Sequence, residues 1–301
     1  VMLILKRRYE FWISMLALHK IGAVAIPATH LLTKKDIVYR NNNAGVKAII
    51  CADTANAEHF IDEAQAESPT LKHKIMVGDL RLPGWVSFDE QMQKASDEWT
   101  RPTGEADTKL SDPMLLFFTS GTTGMPKMVM HNYSYALAHI PTAVFWHNVR
   151  PDGIHLTVSD TGWGKCLWGK FYGQWFAETT VFVYDYDKFV PPEMLEIISK
   201  YQITTFCAPP TMYRFFIKED LSKYDLSSIE YSTTAGEALN PEVYEQWKRA
   251  TGFSIYEGFG QTETTLSIYN PVGSVPKSGS MGIPSPLYDV DLILPDGTPA
   301  P

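Results

Sequence analysis

Apolar runs that alternate with amphipathic stretches restrict the fold of this chain more than any other feature. Residues 1–5 read as a strand, and residues 9–21 carry Trp12, Met15, Leu16 and Leu18 at helical spacing, with Gly22 placed to end the helix. Residues 23–26 return as a strand. A second turn of the pattern has Thr33 as N-cap with Asp36 three positions on, a helix to about Ala44, Gly45 as terminator and a strand over 47–51. A third has a helix over 56–66 and a strand over 75–77. Single helices between strands require parallel pairing with right-handed crossovers. The alternation resumes later, with helices predicted over 135–145, 164–176, 193–201, 212–217 and 242–250, and strands over 154–158, 180–184, 204–207, 229–232 and 254–256. The expected fold class is therefore α/β, with two mostly parallel sheets and helices packed in layers. Between the two halves residues 96–112 turn polar, with Pro102 and Gly104, so a subdomain boundary is expected near 96–113.

The second half opens on Met114-Leu115-Leu116-Phe117-Phe118, which runs without a break into Thr119-Ser120-Gly121-Thr122-Thr123-Gly124-Met125-Pro126-Lys127. This reads as a buried strand feeding a phosphate loop. Glycines let backbone N–H groups approach an anion, the hydroxyls of Thr119, Ser120, Thr122 and Thr123 add donors, and Lys127 supplies a full positive charge. It is not a Walker loop: two residues separate Gly121 from Gly124, and Pro126 and Met128 flank the lysine. As a bare pattern, a Gly/Thr-rich hairpin turn on a sheet edge remains the alternative.

The nine residues together resemble the signature of the acyl-adenylate-forming enzymes, which include acyl-CoA synthetases, luciferases and the adenylation domains of peptide synthetases. Two further stretches resemble the same family in the same order. Thr234-Ala235-Gly236-Glu237-Ala238-Leu239 ends a strand before a helix, and the resemblance implies that Gly236, Glu237 and Ala238 lie against adenine. Tyr256-Glu257-Gly258-Phe259-Gly260-Gln261-Thr262-Glu263 is similar to the second nucleotide motif. Its implied roles are Glu257, Gly258, Phe259, Gly260 and Gln261 beside adenine and ribose, Thr262 on the α-phosphate and Glu263 holding Mg²⁺. A hard cation bridging phosphate oxygens needs such a carboxylate. The resemblance implies a large N-terminal adenylation domain in which Lys127, Thr262 and Glu263 are catalytic. The implied reaction joins a small carboxylic acid to AMP, drawn from ATP, and then to coenzyme A.

The segment Ser159-Asp160-Thr161-Gly162-Trp163-Gly164-Lys165-Cys166-Leu167-Trp168 resembles the border of the carboxylate pocket in acetyl- and medium-chain acyl-CoA synthetases. Trp163, Gly164, Lys165, Trp168, Phe259 and Gly260 are the implied acyl-binding set. A buried helix stripe of Trp163, Trp168 and Trp175 accounts for the same aromatic residues, and both readings hold together. Acetate-specific relatives resemble one another in having tryptophan where this chain has Gly260, so a deeper pocket for a medium-length, branched or aryl acid is expected. On that reading Gly260→Trp closes the pocket to long acids. Peptide-synthetase domains place an aspartate near Asp160 for an amino group, which keeps an amino-acid-activating domain open as an alternative. A catalytically silent nucleotide-binding protein is a second alternative, opposed by intact Lys127 and Glu263.

The 301 residues, 45% hydrophobic, suffice for a large core, and the net charge of −8 argues against general nucleic-acid or anionic-membrane binding. Cys51, Cys166 and Cys207 lie in apolar surroundings without metal spacing, as buried thiols do in a reducing compartment. No apolar run reaches membrane-span length and no signal peptide is apparent, so a cytoplasmic or mitochondrial-matrix protein is expected. A homo-oligomer is compatible with this composition. Both ends read as cut, and the resemblance puts the ribose-binding aspartate and the catalytic lysine of a small C-terminal domain past Pro301. His131 and His139 pair with no nucleophile and are expected to be structural.

Overall fold

A computed structural model describes residues 1–119 and 124–300, which divide into two compact units. The first comprises Val1–Tyr135, Ser159–Leu167 and Val183–Tyr186. In it β1 (Met2–Ile4) leads to α1 (Glu10–Lys20), β2 (Ile26–Pro27), α2 (Lys34–Ala44), β3 (Ala48–Ala52), α3 (Glu58–Ala64), β4 (His73–Val77), β5 (Val86–Ser87) and α4 (Phe88–Lys94). The five strands form an all-parallel sheet in the order β2-β1-β3-β4-β5. Burial on both faces explains the near-continuous apolar strands: Met2, Leu3, Ile4, Ile49, Cys51 and Val77 are inaccessible or nearly so, and α1 adds Phe11, Met15 and Leu18. The α2 boundaries follow the expected capping chemistry. Asp36 Oδ2 accepts from the Thr33 N–H at 3.0 Å and hydroxyl at 2.7 Å, and Gly45 closes the helix in the left-handed region.

The hairpin of β6 (Pro113–Thr119) and β7 (Lys127–Asn132) completes this unit, joined to the sheet where Ala25 N–H donates to the Met114 carbonyl at 3.0 Å and Leu116 N–H to that of Ala25 at 2.9 Å. Residues 96–113 thus lie inside the first unit, and the chain passes to the second after Tyr135. Strand β6 is half-buried rather than buried throughout, with Met114, Leu115 and Phe117 buried and Pro113 exposed.

The second unit comprises Ala136–Val158, Trp168–Phe182 and Asp187–Pro301. From its boundary onward come α5 (Ser134–Leu137), α6 (His139–Pro141), β8 (Ile154–Thr157), α7 (Gly164–Lys170), α8 (Tyr172–Phe176), β9 (Thr180–Val181), α9 (Pro191–Lys200), β10 (Thr205–Cys207), α10 (Pro210–Phe216), β11 (Tyr231–Ala235), α11 (Pro241–Thr251), β12 (Ile255–Gly260), β13 (Leu266–Tyr269) and β14 (Ile283–Pro284). The sheet order is β14-β13-β12-β11-β10-β8-β9, with β13 and β14 antiparallel on one edge of a parallel set. Trp247 meets Tyr213 edge-on at 5.0 Å in a core shared with Phe206 and Phe216.

Three predicted elements change shape. The helix over 135–145 breaks into α5, α6 and a π-helical turn Thr142–Trp146, because Pro141 cannot donate to the preceding turn. The helix over 164–176 splits at Phe171, whose φ of −142° and ψ of −96° are not helical. The strand over 180–184 shortens to Thr180–Val181, with one more bond from Phe182 N–H to the His155 carbonyl at 2.8 Å, and residues 183–186 belong to the first unit. Strands β11 and β12 extend further than their apolar residues indicate and carry the ends of both motifs.

Candidate active site

Strands β11 and β12 run side by side with Thr234 opposite Glu257 and Ala235 opposite Gly258, so both nucleotide motifs leave the sheet at the carboxyl ends of adjacent parallel strands. Gly236 turns the chain out of β11 with φ of +106°, a conformation a side chain strongly disfavours. Glu237 is exposed and accepts from Thr211 Oγ1 at 3.0 Å and Arg214 Nη2 at 3.3 Å. After Ala238, the Leu239 N–H donates to Glu257 Oε1 at 2.9 Å. The Glu257 side chain is buried, and burial holds its carboxyl above the usual carboxylate range against the opposing Leu239 N–H. Asn270 ties down the backbone of Glu257, donating from N and Nδ2 to its carbonyl at 3.1 and 3.0 Å. Glu257 therefore fastens the Gly236–Leu239 turn to β12.

Gly258 and Gly260 occupy tight positions on β12. A Cβ on Gly258 would lie 2.9 Å from Leu266 Cδ1 and from Trp146 Cε2, and one on Gly260 would lie 2.4 Å from the Thr265 carbonyl and 2.5 Å from Trp168 Cη2. The space beside Gly260 is thus already taken by the buried indole of Trp168, which clusters with Trp146, Leu266 and Tyr269. Phe259, on the other face of the strand, is exposed. Gln261 N–H then donates to Thr264 Oγ1 at 3.0 Å, and the Tyr288 hydroxyl accepts from Thr265 N–H at 2.7 Å. These bonds fix both ends of the turn that carries Thr262, half-buried, and Glu263, exposed.

In the first unit, Thr119 pairs with Lys127, so the phosphate loop connects two antiparallel strands. The strands on either side are those of a hairpin, as the alternative reading expects. Ser120, Gly121, Thr122 and Thr123 lie outside the described residues. Tyr39 anchors the loop's far side, its hydroxyl donating to the Pro126 carbonyl at 2.9 Å, while the Arg40 guanidinium sits 5.1 Å over the Phe118 ring. Lys127 is exposed at the start of β7.

The predicted acyl residues divide between the units. Trp163, Gly164 and Lys165 lie in the first, with Trp163 65% exposed; Trp168, Phe259 and Gly260 lie in the second. Asp160 is committed elsewhere. It faces Arg7 Nη1 at 3.1 Å and His30 Nδ1 at 3.7 Å, and its Oδ1 accepts from Gly162 N–H at 2.9 Å. Arg7 is itself buried, lies 4.2 Å over the Tyr186 ring and donates to the Tyr186 carbonyl. Arg7, Asn270 and Tyr288 were not predicted as site residues. Only Arg7 had a sequence signal, a basic run at the carboxyl end of β1.

His131 stacks on Tyr135 at 3.8 Å and His139 on Tyr172 at 5.8 Å. Two further histidines stitch the second sheet: His155 contacts Thr205 Oγ1 at 2.7 Å and Thr157 Oγ1 at 2.8 Å, and His147 contacts Thr233 Oγ1 at 2.8 Å. Burial, aided by the charge of Lys170, lowers the His155 pKa to about 3, so the ring is neutral at pH 7.

Comparison with known proteins identifies the family to which this fold belongs. The AMP-binding enzyme family matches residues 1–301, and the chain belongs to that family. It is 39% identical over 302 residues to human acyl-coenzyme A synthetase ACSM5, mitochondrial, and 39% identical to mouse acyl-coenzyme A synthetase ACSM3, mitochondrial. All of this chain is aligned in both, against 51% of each relative, so the chain spans about half the length of the curated relatives it matches. The structure of the anthranilate CoA ligase AuaEII in complex with anthranoyl-AMP superposes on the whole chain with a TM-score of 0.91 at 25% identity, covering 57% of that ligase. The Brucella canis acyl-CoA synthetase shares the fold at a TM-score of 0.89 and 23% identity, covering 54% of that chain.

Proposed function

We propose that this chain is the nucleotide-binding part of an AMP-forming acyl-CoA synthetase. A carboxylate oxygen attacks the α-phosphorus of ATP and pyrophosphate leaves; the thiol of coenzyme A then attacks the acyl carbon and AMP leaves. The observation that carries this reading is the clamp between Glu257 and Leu239, which fastens one nucleotide motif to the other at the carboxyl ends of adjacent parallel strands. Such a rim holds a nucleotide without prior rearrangement.

In this mechanism Lys127 and the loop from Thr119 to Gly124 face the charge of the β- and γ-phosphates, and Thr262 donates to the α-phosphate as negative charge builds there. Gly236, Glu237, Ala238 and Glu257 to Gln261 shape the base and ribose site. Glu263 is exposed and has no hydrogen bond or ion pair to the described residues, and no cluster of three or more potential metal ligands occurs among them. An exposed carboxylate on this turn would hold a Mg²⁺ ion, which would supply charge neutralisation when bound. Trp163, Gly164, Lys165, Trp168, Phe259 and Gly260 are the acyl-pocket candidates, and an aryl or medium-length acid is favoured by their aromatic character and by likeness to an anthranilate CoA ligase.

The engagement of Asp160 with Arg7 and His30 disfavours the amino-acid-activating alternative, since an aspartate so neutralised is a poor partner for a substrate ammonium. We place the protein in the cytoplasm or mitochondrial matrix, in keeping with the names of its relatives; no helix among the described residues is long and apolar enough to cross a membrane. The test is ATP–pyrophosphate exchange by the full-length protein with acetate, octanoate, benzoate, a branched acid and amino acids. Exchange driven by an apolar acid, followed by its thioester when coenzyme A is added, is expected. Exchange driven only by amino acids, or ATP binding without exchange, would overturn the proposal.

A further inference from the structure

A cavity of about 480 Å³ lies within the first unit, and no residue of the motifs above lines it. Its walls are the carboxyl-terminal half of α1 and the polar excursion that precedes β6. Leu16, Trp99 and Leu110 present apolar surface to it and are 43%, 43% and 62% exposed. Lys20, Arg101 and Lys109 supply its charge, and no carboxylate lines it although the protein's net charge is −8. Asp107 neutralises part of this, facing Arg101 at 2.9 Å. The Lys20 ammonium sits 4.4 Å over the Trp99 ring, which aligns an aromatic face and a cation on one wall.

The floor is built rather than incidental. Tyr133 donates from its hydroxyl to the His19 carbonyl at 2.9 Å, with the two rings edge-on at 5.9 Å. Thr108 is drawn against the end of α1, within 3.3 Å of where a Cβ on Gly22 would lie. The size falls in the range of small-molecule sites, which combine an apolar lining with a few convergent polar groups. Lys20 and the Lys109 side chain have no carboxylate partner among the described ion pairs, although Asp112 accepts from the Lys109 N–H at 2.8 Å, and an exposed tryptophan beside these cations suits a ligand with a flat or apolar body and one anionic head.

We infer that this cavity is a second, non-catalytic binding site for an aryl or medium-length carboxylate, the body against Trp99 and Leu16 and the head toward Lys20 and Lys109. The inference rests on the proposed function only for the source of such acids, which are the substrates of that reaction. Occupancy there would hold free acid at a place that shares no lining residue with the nucleotide motifs.

The experiment is calorimetric titration of benzoate and octanoate into the full-length protein whose catalytic site is filled with a non-hydrolysable acyl-adenylate analogue. Residual binding is expected, weakened about tenfold by Trp99→Ala and about threefold by Lys20→Gln, and retained in Trp99→Phe as the control for folding. No residual binding, or residual binding that both variants leave unchanged, overturns the inference. Failure of the analogue itself to bind would instead count against the proposed function, and the titration would then be read on the free protein with the same variants.

Discussion

A methyl group at Gly260 tests the packing of the site most directly. The added Cβ would lie 2.5 Å from Trp168 Cη2 and 2.4 Å from the Thr265 carbonyl oxygen. Carbon atoms pack at about 3.5–4.0 Å, so the indole would have to retreat by about 1 Å. It has little room, since Trp168 is buried among Trp146, Cys207, Leu266 and Tyr269. The carbonyl belongs to the turn held by Tyr288 and cannot swing away as a side chain could. Overpacking of this kind costs about 1–3 kcal/mol. Replacing glycine reduces the freedom of the unfolded chain and offsets about 0.4–1 kcal/mol. A net loss of about 1–2 kcal/mol is therefore expected for Gly260→Ala, read by urea denaturation as a lower midpoint at an unchanged slope. Trp168→Leu in the same background removes one collision of the two, so the double variant should lose less than the sum of the singles. An alanine variant within about 0.5 kcal/mol of the parent, with additive double-variant behaviour, would refute the packing argument.

Other outcomes follow from single contacts. His155 is held neutral with a pKa lowered to about 3 from an ordinary 6.5; a depressed histidine binds fewer protons folded than unfolded, so stability is lost as pH falls below 6.5, by about 2 kcal/mol at pH 5, and a flat urea midpoint from pH 7.5 to 5 would contradict it. Glu257 has the opposite sign: its folded carboxyl is raised, so its contribution falls as pH climbs through the raised value, and Glu257→Gln, which keeps an acceptor for Leu239 N–H, should flatten that slope while Glu257→Ala raises the KM for ATP more than it changes kcat. Cys51, Cys166 and Cys207 are buried, and burial raises the Cys51 thiol, so a thiol reagent should label none of them until the protein unfolds; labelling of the native protein would show access that the structure lacks.

The α/β alternation was readable because buried parallel strands are written in runs of Leu, Ile and Val, as in β1 and β3, and because caps are local chemistry, as Thr33, Asp36 and Gly45 show. The elements that changed shape were those decided by tertiary contact or backbone restriction. Pro141 sits inside an apolar, helical-looking stretch, and its lost donor breaks the helix where periodicity alone continues it. Strand β11 is Tyr-Ser-Thr-Thr-Ala, too polar to announce burial on both faces; the sheet tolerates it because Thr233 meets His147 and Thr234 donates to the Ala208 carbonyl. The motifs could be found by spacing, whereas Asn270 and Tyr288, which hold them, stand at sequence distances no pattern specifies.

The acyl wall shows why a residue read singly can mislead about shape. Gly260 as a sequence letter implies empty space, and a deeper pocket follows if nothing else fills it. In the folded second unit that space holds an indole from α7, which arrives from nearly a hundred residues earlier in the chain. A tryptophan placed at 260 would therefore displace Trp168 before it could plug a pocket. If the protein has the proposed function, the side chain at 168 is the one to vary for acyl length: Trp168→Leu keeps an apolar wall while vacating the space against Gly260, and in the full-length protein it should shift preference toward longer acids by a factor of about 10 or more per additional accommodated methylene pair, given roughly 0.8 kcal/mol for each buried methylene. An unchanged chain-length profile in a folded Trp168→Leu protein would remove Trp168 from the acyl wall and leave it as a core residue of α7 packed against β12.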